Sequence, residues 1–80
     1  MRLAIETKFS IGDQVYLAEI YHEYLANSKP YTIVGISIHM NEHATKTIYR
    51  IEQEGLIDSV SEHILFATYE ECAKWCDEHN

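Results

Sequence analysis

Four clusters of turn-forming residues divide the first three-quarters of this chain into short runs: Gly12-Asp13, Asn27-Ser28-Lys29-Pro30, Asn41-Glu42-His43-Ala44 and Glu54-Gly55. Each cluster acts by a known route. Gly accepts a positive φ, Asn and Asp bond back to nearby backbone, and Pro30 holds Lys29 extended. The runs between them are rich in β-branched and aromatic residues, which fit a pleated surface. Short strands separated by such signals predict a small antiparallel β structure.

Phe9-Ser10-Ile11 leads into the Gly12-Asp13 turn, and Val15 to Tyr21 follows as a strand with apolar groups on both faces. Val15 and Leu17 share one face; Tyr16, Ala18 and Ile20 share the other. A strand of that kind is strongly curved or covered on both sides. Ile20, Tyr21, Tyr24 and Leu25 also recur at helical spacing, the competing reading. Residues 22–30 read as a connection. Tyr31 to His39 is the clearest strand, with Val34, Ile36, Ile38 and Met40 expected on one face and Gly35 marking a bend or bulge. Thr45 to Glu54 returns, with Thr47, Tyr49 and Ile51 on one side, and Leu56 to Val60 forms a shorter strand. Ser61-Glu62-His63 has room for one turn of 3₁₀ helix, and Ile64 to Ala67 for a last brief strand. Thr68-Tyr69-Glu70-Glu71 is a capping box that opens a helix with Tyr69, Cys72, Ala73 and Cys76 on its apolar stripe and Trp75 at the margin.

The expected fold is therefore mainly β (α+β): a small antiparallel barrel of four to five strands, closed at one end or edge by a C-terminal α-helix. With 80 residues and 46% apolar content the chain makes a single domain, 1–80. Residues 1–8 are an arm or edge strand, 9–67 the barrel and 68–79 the helix. The N-terminus has no signal-peptide pattern, and no run reaches the roughly 18 apolar residues a membrane helix needs. Cys72 and Cys76 lie four apart on one helix, where a bridge gains little, so reduced thiols and a cytoplasmic setting are expected.

Several pieces resemble the SH3-like small barrels: Phe9-x-x-Gly12-Asp13-x-Val15, the strand from Val34 to Ile38, Tyr49-Arg50-Ile51-Glu52, and Val60-Ser61-Glu62-x-x-Leu65-Phe66. Openings and closings of this form recur in Tudor-like, chromo-like and KOW-type modules. They recur also in small proteins of bacteria and their phages that append a helix of Thr-x-Glu-Glu type. The resemblance covers roughly residues 9–79 and implies the fold; this barrel hosts many unrelated binding tasks. The chain lacks the acidic and Trp cluster that reads proline-rich peptides and the basic loops of the nucleic-acid binders. No family site carries over.

Charge narrows the function further. In residues 1–51 five acids meet five bases, so the net charge of −7 lies wholly in residues 52–80, where Lys74 is the one base. Binding a phosphate backbone takes clustered Lys and Arg, so direct nucleic-acid binding is not expected. Cys72-x-x-x-Cys76-x-x-His79 has one metal-like spacing, but both thiols sit on the apolar stripe, and no metal or cofactor is expected. No nucleophile elbow, glycine-rich phosphate loop or paired catalytic carboxylates are present, so the reading is non-enzymatic. Surplus aromatics point to a protein-binding module of bacterial or phage type, monomeric or weakly dimeric, engaging its partner through Tyr16, Tyr21, Tyr24 and Tyr31. The alternative is an acidic inhibitor that mimics nucleic acid, presenting Glu52, Glu54, Asp58, Glu70, Asp77 and Glu78 to a basic enzyme.

Overall fold

The computed structural model describes residues 7–80; most of the expected N-terminal arm lies outside the described residues. Its elements run β1 (Gln14–Ile20), β2 (Tyr24–Ala26), β3 (Tyr31–Met40), β4 (Thr45–Gln53), β5 (Leu56–Ser61), a 3₁₀ turn (Glu62–Ile64), β6 (Leu65–Phe66) and α1 (Tyr69–His79). The sheet is antiparallel with order β2-β1-β3-β4-β5, and β6 pairs with β1. The mainly-β fold with one C-terminal helix is as expected. Among the described residues the barrel does not close: the 3₁₀ turn redirects the chain so that β6 pairs with β1, and β5 pairs with β4 alone. β2 falls inside what reads from sequence as a connection. Its three residues are too few to show a period, and they pair with β1 through Ala18↔Ala26 and Ile20↔Tyr24.

β1 is covered on both faces, as its double apolar pattern requires. Val15 and Leu17 enter the main core with Phe9, Tyr31, Ile33, Tyr49, Ile51 and Leu65. Ala18 enters a second cluster with Phe66, Cys72 and Cys76, against which Tyr16 and Trp75 also pack. The helix lies on this second face. Its cap forms in part: the Thr68 hydroxyl accepts from the Glu71 amide at 3.2 Å. Its far end is anchored by Asn80, whose side-chain amide accepts from the Tyr24 N–H at 2.7 Å and donates to the Tyr24 carbonyl at 2.9 Å. A side chain thus serves as the missing neighbour at the outer edge of β2.

Gly35 does mark a bulge, and the bulge reverses an expectation. Ile33 pairs with Ile51 and Gly35 with Arg50, which leaves Val34 as the extra residue. One inserted residue changes the phase of side-chain alternation. Ile33 is therefore buried and Ile36 packs on the core, while Val34, expected beside Ile36, is exposed. A Cβ at Gly35 would run into the Arg50 guanidinium, which lies over the bare glycine.

The β4–β5 hairpin turns through Glu54 (φ +53) and Gly55 (φ +83), between the paired Gln53 and Leu56. Positive φ at both central residues is the type I′ pattern, which matches strand twist and favours Asn-Gly. Glu54 adopts it at a cost, and its ion pair with Lys29 (3.1 Å) is too exposed to offset much. Glu54→Asn should stabilise the fold by about 0.5–1 kcal/mol. Urea denaturation would show the midpoint rising at unchanged slope; a lower midpoint would give the Lys29 pair more weight than assigned here.

Candidate functional site

Where the sheet fails to close, an open groove of about 590 Å³ lies between the end of β1 and the edge of β5. Leu17, Ala18, Glu19, Ile20 and Tyr21 form one wall, with Tyr24 beside them; Asp58 and Val60 form the other, and His63 and Ile64 of the 3₁₀ turn complete the lining. Ile20 is 68% exposed and Tyr21 67% exposed, although both belong to residue types that pack well. They point to opposite faces of β1, and both stand exposed because the β1–β2 hairpin projects past the end of β6, where the described residues cover neither side chain fully.

Hydrogen bonds preorganise the wall. Glu19 Oε1 accepts from the Tyr31 hydroxyl at 2.8 Å and from Asn27 Nδ2 at 3.0 Å, and its Oε2 accepts from the Tyr21 hydroxyl at 2.9 Å. Burial works to raise the Glu19 pKa, but the three donors outweigh it and the carboxyl is held below its ordinary 4.5. Tyr31 is pushed up to about 12, first by burial, then by its bond to Glu19 and the negative charge of Glu19, with Asp58 adding to the effect. Tyr21 is raised by the Glu19 bond and charge. Asp58 pairs across the ladder with the fully buried Ile51, so its side chain projects on the core-facing side of β5, into the groove. Glu19 and Asp58 thus give the groove a negative interior.

The four tyrosines singled out by sequence part company. Tyr21 and Tyr24 line the groove. Tyr24 also meets Trp75 edge-on at 4.7 Å, and Trp75 stacks on His79 at 4.0 Å. Tyr16 packs edge-on to Tyr69 at 6.1 Å, against the helix side of β1. Tyr31 is buried, so its ring offers no contact surface and its hydroxyl serves to hold Glu19. Sequence reasoning passed over Ile20 and Val60 as contact residues, and named Asp58 only for the acidic surface, not for this groove. An exposed end to an otherwise buried strand would be the signal for Ile20; none exists for Asp58, which needs the ladder register.

The six acids of the alternative surface lie on separate elements. Glu52 accepts from the Gly55 N–H at 2.9 Å, Glu54 pairs with Lys29 and Asp58 faces the groove, all on the β4–β5 hairpin. Glu70, Asp77 and Glu78 belong to α1, which packs on β1, β2 and β6. The helix thiols are buried. Cys72 is pushed up to about 12 by burial and secondarily by Cys76, so it stays a neutral, apolar filler at neutral pH. His79 turns its Nδ1 to the Trp75 carbonyl at 2.8 Å. Among the described residues no group of three or more His, Cys, Asp or Glu is placed to hold a metal, and no helix is long and apolar enough to cross a membrane. No family model, no curated protein and no solved structure matches the chain.

Proposed function

We propose that this chain is a non-enzymatic protein-binding module built on an open, SH3-like arrangement of strands, with the groove between β1 and β5 as its contact site. The observation that carries this reading is the pair Ile20 and Tyr21, fully two-thirds exposed at the rim of an apolar groove whose polar groups are already fixed in place. A wall held rigid by Glu19, Tyr31 and Asn27 loses little entropy when a partner docks. Aromatic and apolar anchors at such a rim supply binding energy through burial. The SH3-like reading draws support from the order of events along the chain: a three-strand meander, a 3₁₀ turn, and a short last strand that returns to β1.

The test is affinity capture with the tagged protein in its own cells, read by mass spectrometry, beside the double variant Ile20→Asp and Tyr21→Ala. Both positions are exposed, so the circular dichroism should not change. The captured partner should fall at least roughly ten-fold, as expected when a hot-spot pair is removed. Equal capture by the variant would defeat the proposal. The acidic-mimic alternative draws less support, because its six carboxylates do not converge on one face. It keeps a distinct signature in steep salt dependence.

A further inference from the structure

Resting on that reading of the groove, we infer that its occupant is an extended segment of the partner, apolar at alternate positions and carrying Lys or Arg between them, which adds to β5 as one more strand and fills the gap towards β1.

The backbone of β5 offers the template. Gln53 and Leu56 flank a two-residue turn and so exchange hydrogen bonds, which places Leu56, Asp58 and Val60 as the residues bonded to β4. The alternate residues Ile57, Ser59 and Ser61 then aim their N–H and C=O groups at the outer edge, where no described strand pairs with them. The two outer edges of this sheet are treated differently. That of β2 is blocked at Tyr24 by the Asn80 amide. That of β5 carries no Lys, Pro or bulge and exposes Leu56 and Ile57; its one guard against strand addition is the inward-pointing Asp58, which a cationic side chain of the added strand would neutralise.

Size and charge select the occupant. A β residue takes up roughly 160 Å³, from a rise of about 3.3 Å, a strand spacing of about 4.8 Å and a sheet spacing of about 10 Å. The groove of about 590 Å³ therefore admits about four residues of extended chain. The groups that face it are Glu19 from β1, Asp58 from β5 and His63 from the 3₁₀ turn, so a cationic side chain is matched there and an acidic one repelled. A second copy of this chain would bring another net charge of −7 and a second Asp58 to the same edge. Backbone pairing gives affinity in this mode, and alternate side chains give selectivity.

The experiment selects binders from a library of linear peptides of about eight residues, enough to span β5, against the purified full chain. Selected peptides should alternate β-branched or aromatic residues with Lys or Arg. N-methylation of alternate peptide amides should abolish binding in one phase of the alternation and spare it in the other. Asp58→Asn should weaken binding roughly ten-fold, the weight of one charge-assisted contact. Ser59→Pro removes an outer-edge N–H without touching the β4 ladder and should abolish binding; if it does not fold, the N-methylated peptides still decide. Binding that survives N-methylation in both phases overturns strand addition and leaves the protein-binding module standing. Selection of no peptide also overturns it, and the capture experiment above then judges the module separately. Self-association by sedimentation, lost in Ser59→Pro, would replace the partner segment with a second copy.

Discussion

Raising the pH from about 9 towards 12 is expected to unfold this protein in one cooperative step. Cys72 moves from its ordinary 9.0 up to about 12, first because burial penalises the thiolate, and Tyr31 moves from 10.0 up to about 12, again with burial the leading cause. Cys76, Tyr49 and Tyr21 are raised as well. A folded-state pKa above the unfolded one means that the unfolded chain releases its proton first. Stability from these groups is then complete below pH 9 and is lost as pH climbs through the folded values. At about 1.4 kcal/mol per unit, Cys72 and Tyr31 together withdraw on the order of 7 kcal/mol once the pH has passed both folded values. That compares with a total of roughly 4–12 kcal/mol for a domain of this size. Circular dichroism and phenolate absorbance should therefore change together. Cys72→Ala should flatten the alkaline limb relative to its own value at neutral pH. An unchanged limb in that variant would remove the thiol from the account.

The second large effect centres on the Tyr49 hydroxyl. The ring is fully buried and meets Phe9 edge-on at 5.7 Å, and its hydroxyl donates to Glu62 Oε2 while accepting from the Phe9 N–H at 3.2 Å. One atom thereby joins β4, the 3₁₀ turn and the segment before β1. Tyr49→Phe keeps the packing, deletes a bond to a carboxylate and strands the Phe9 amide. The expected cost is about 2 kcal/mol, or about 10 °C in Tm. Pairing it with Glu62→Gln in a double-mutant cycle isolates the coupling. Additive losses would mean that the hydroxyl and carboxylate act independently, against the geometry described above.

Where sequence patterns succeeded, the cause was local. β4 alternates Thr47, Tyr49 and Ile51 inward because its backbone has a period of two, and the Thr68 cap lies three residues from its donor. The errors were all non-local. Val34 left the core because Gly35 accepts the Arg50 guanidinium and moves the extra residue one place back. Tyr31 left the contact surface because Glu19, twelve residues earlier, holds its hydroxyl in a buried position. β2 escaped notice because its partner, not its own sequence, makes it a strand.

Turn chemistry, alternation and capping by themselves determined a small antiparallel fold with short strands, one helix and thiols on its apolar stripe. Those signals act over a few residues and survive in any context. Whether the sheet closes was decided only by tertiary structure. β6 pairs with β1 rather than with β5, the 3₁₀ turn diverts the chain between them, and the groove between β1 and β5 is what that choice leaves open. Pairing between residues nearly fifty positions apart is a competition among whole strands for one edge, and no single stretch of the chain contains its outcome.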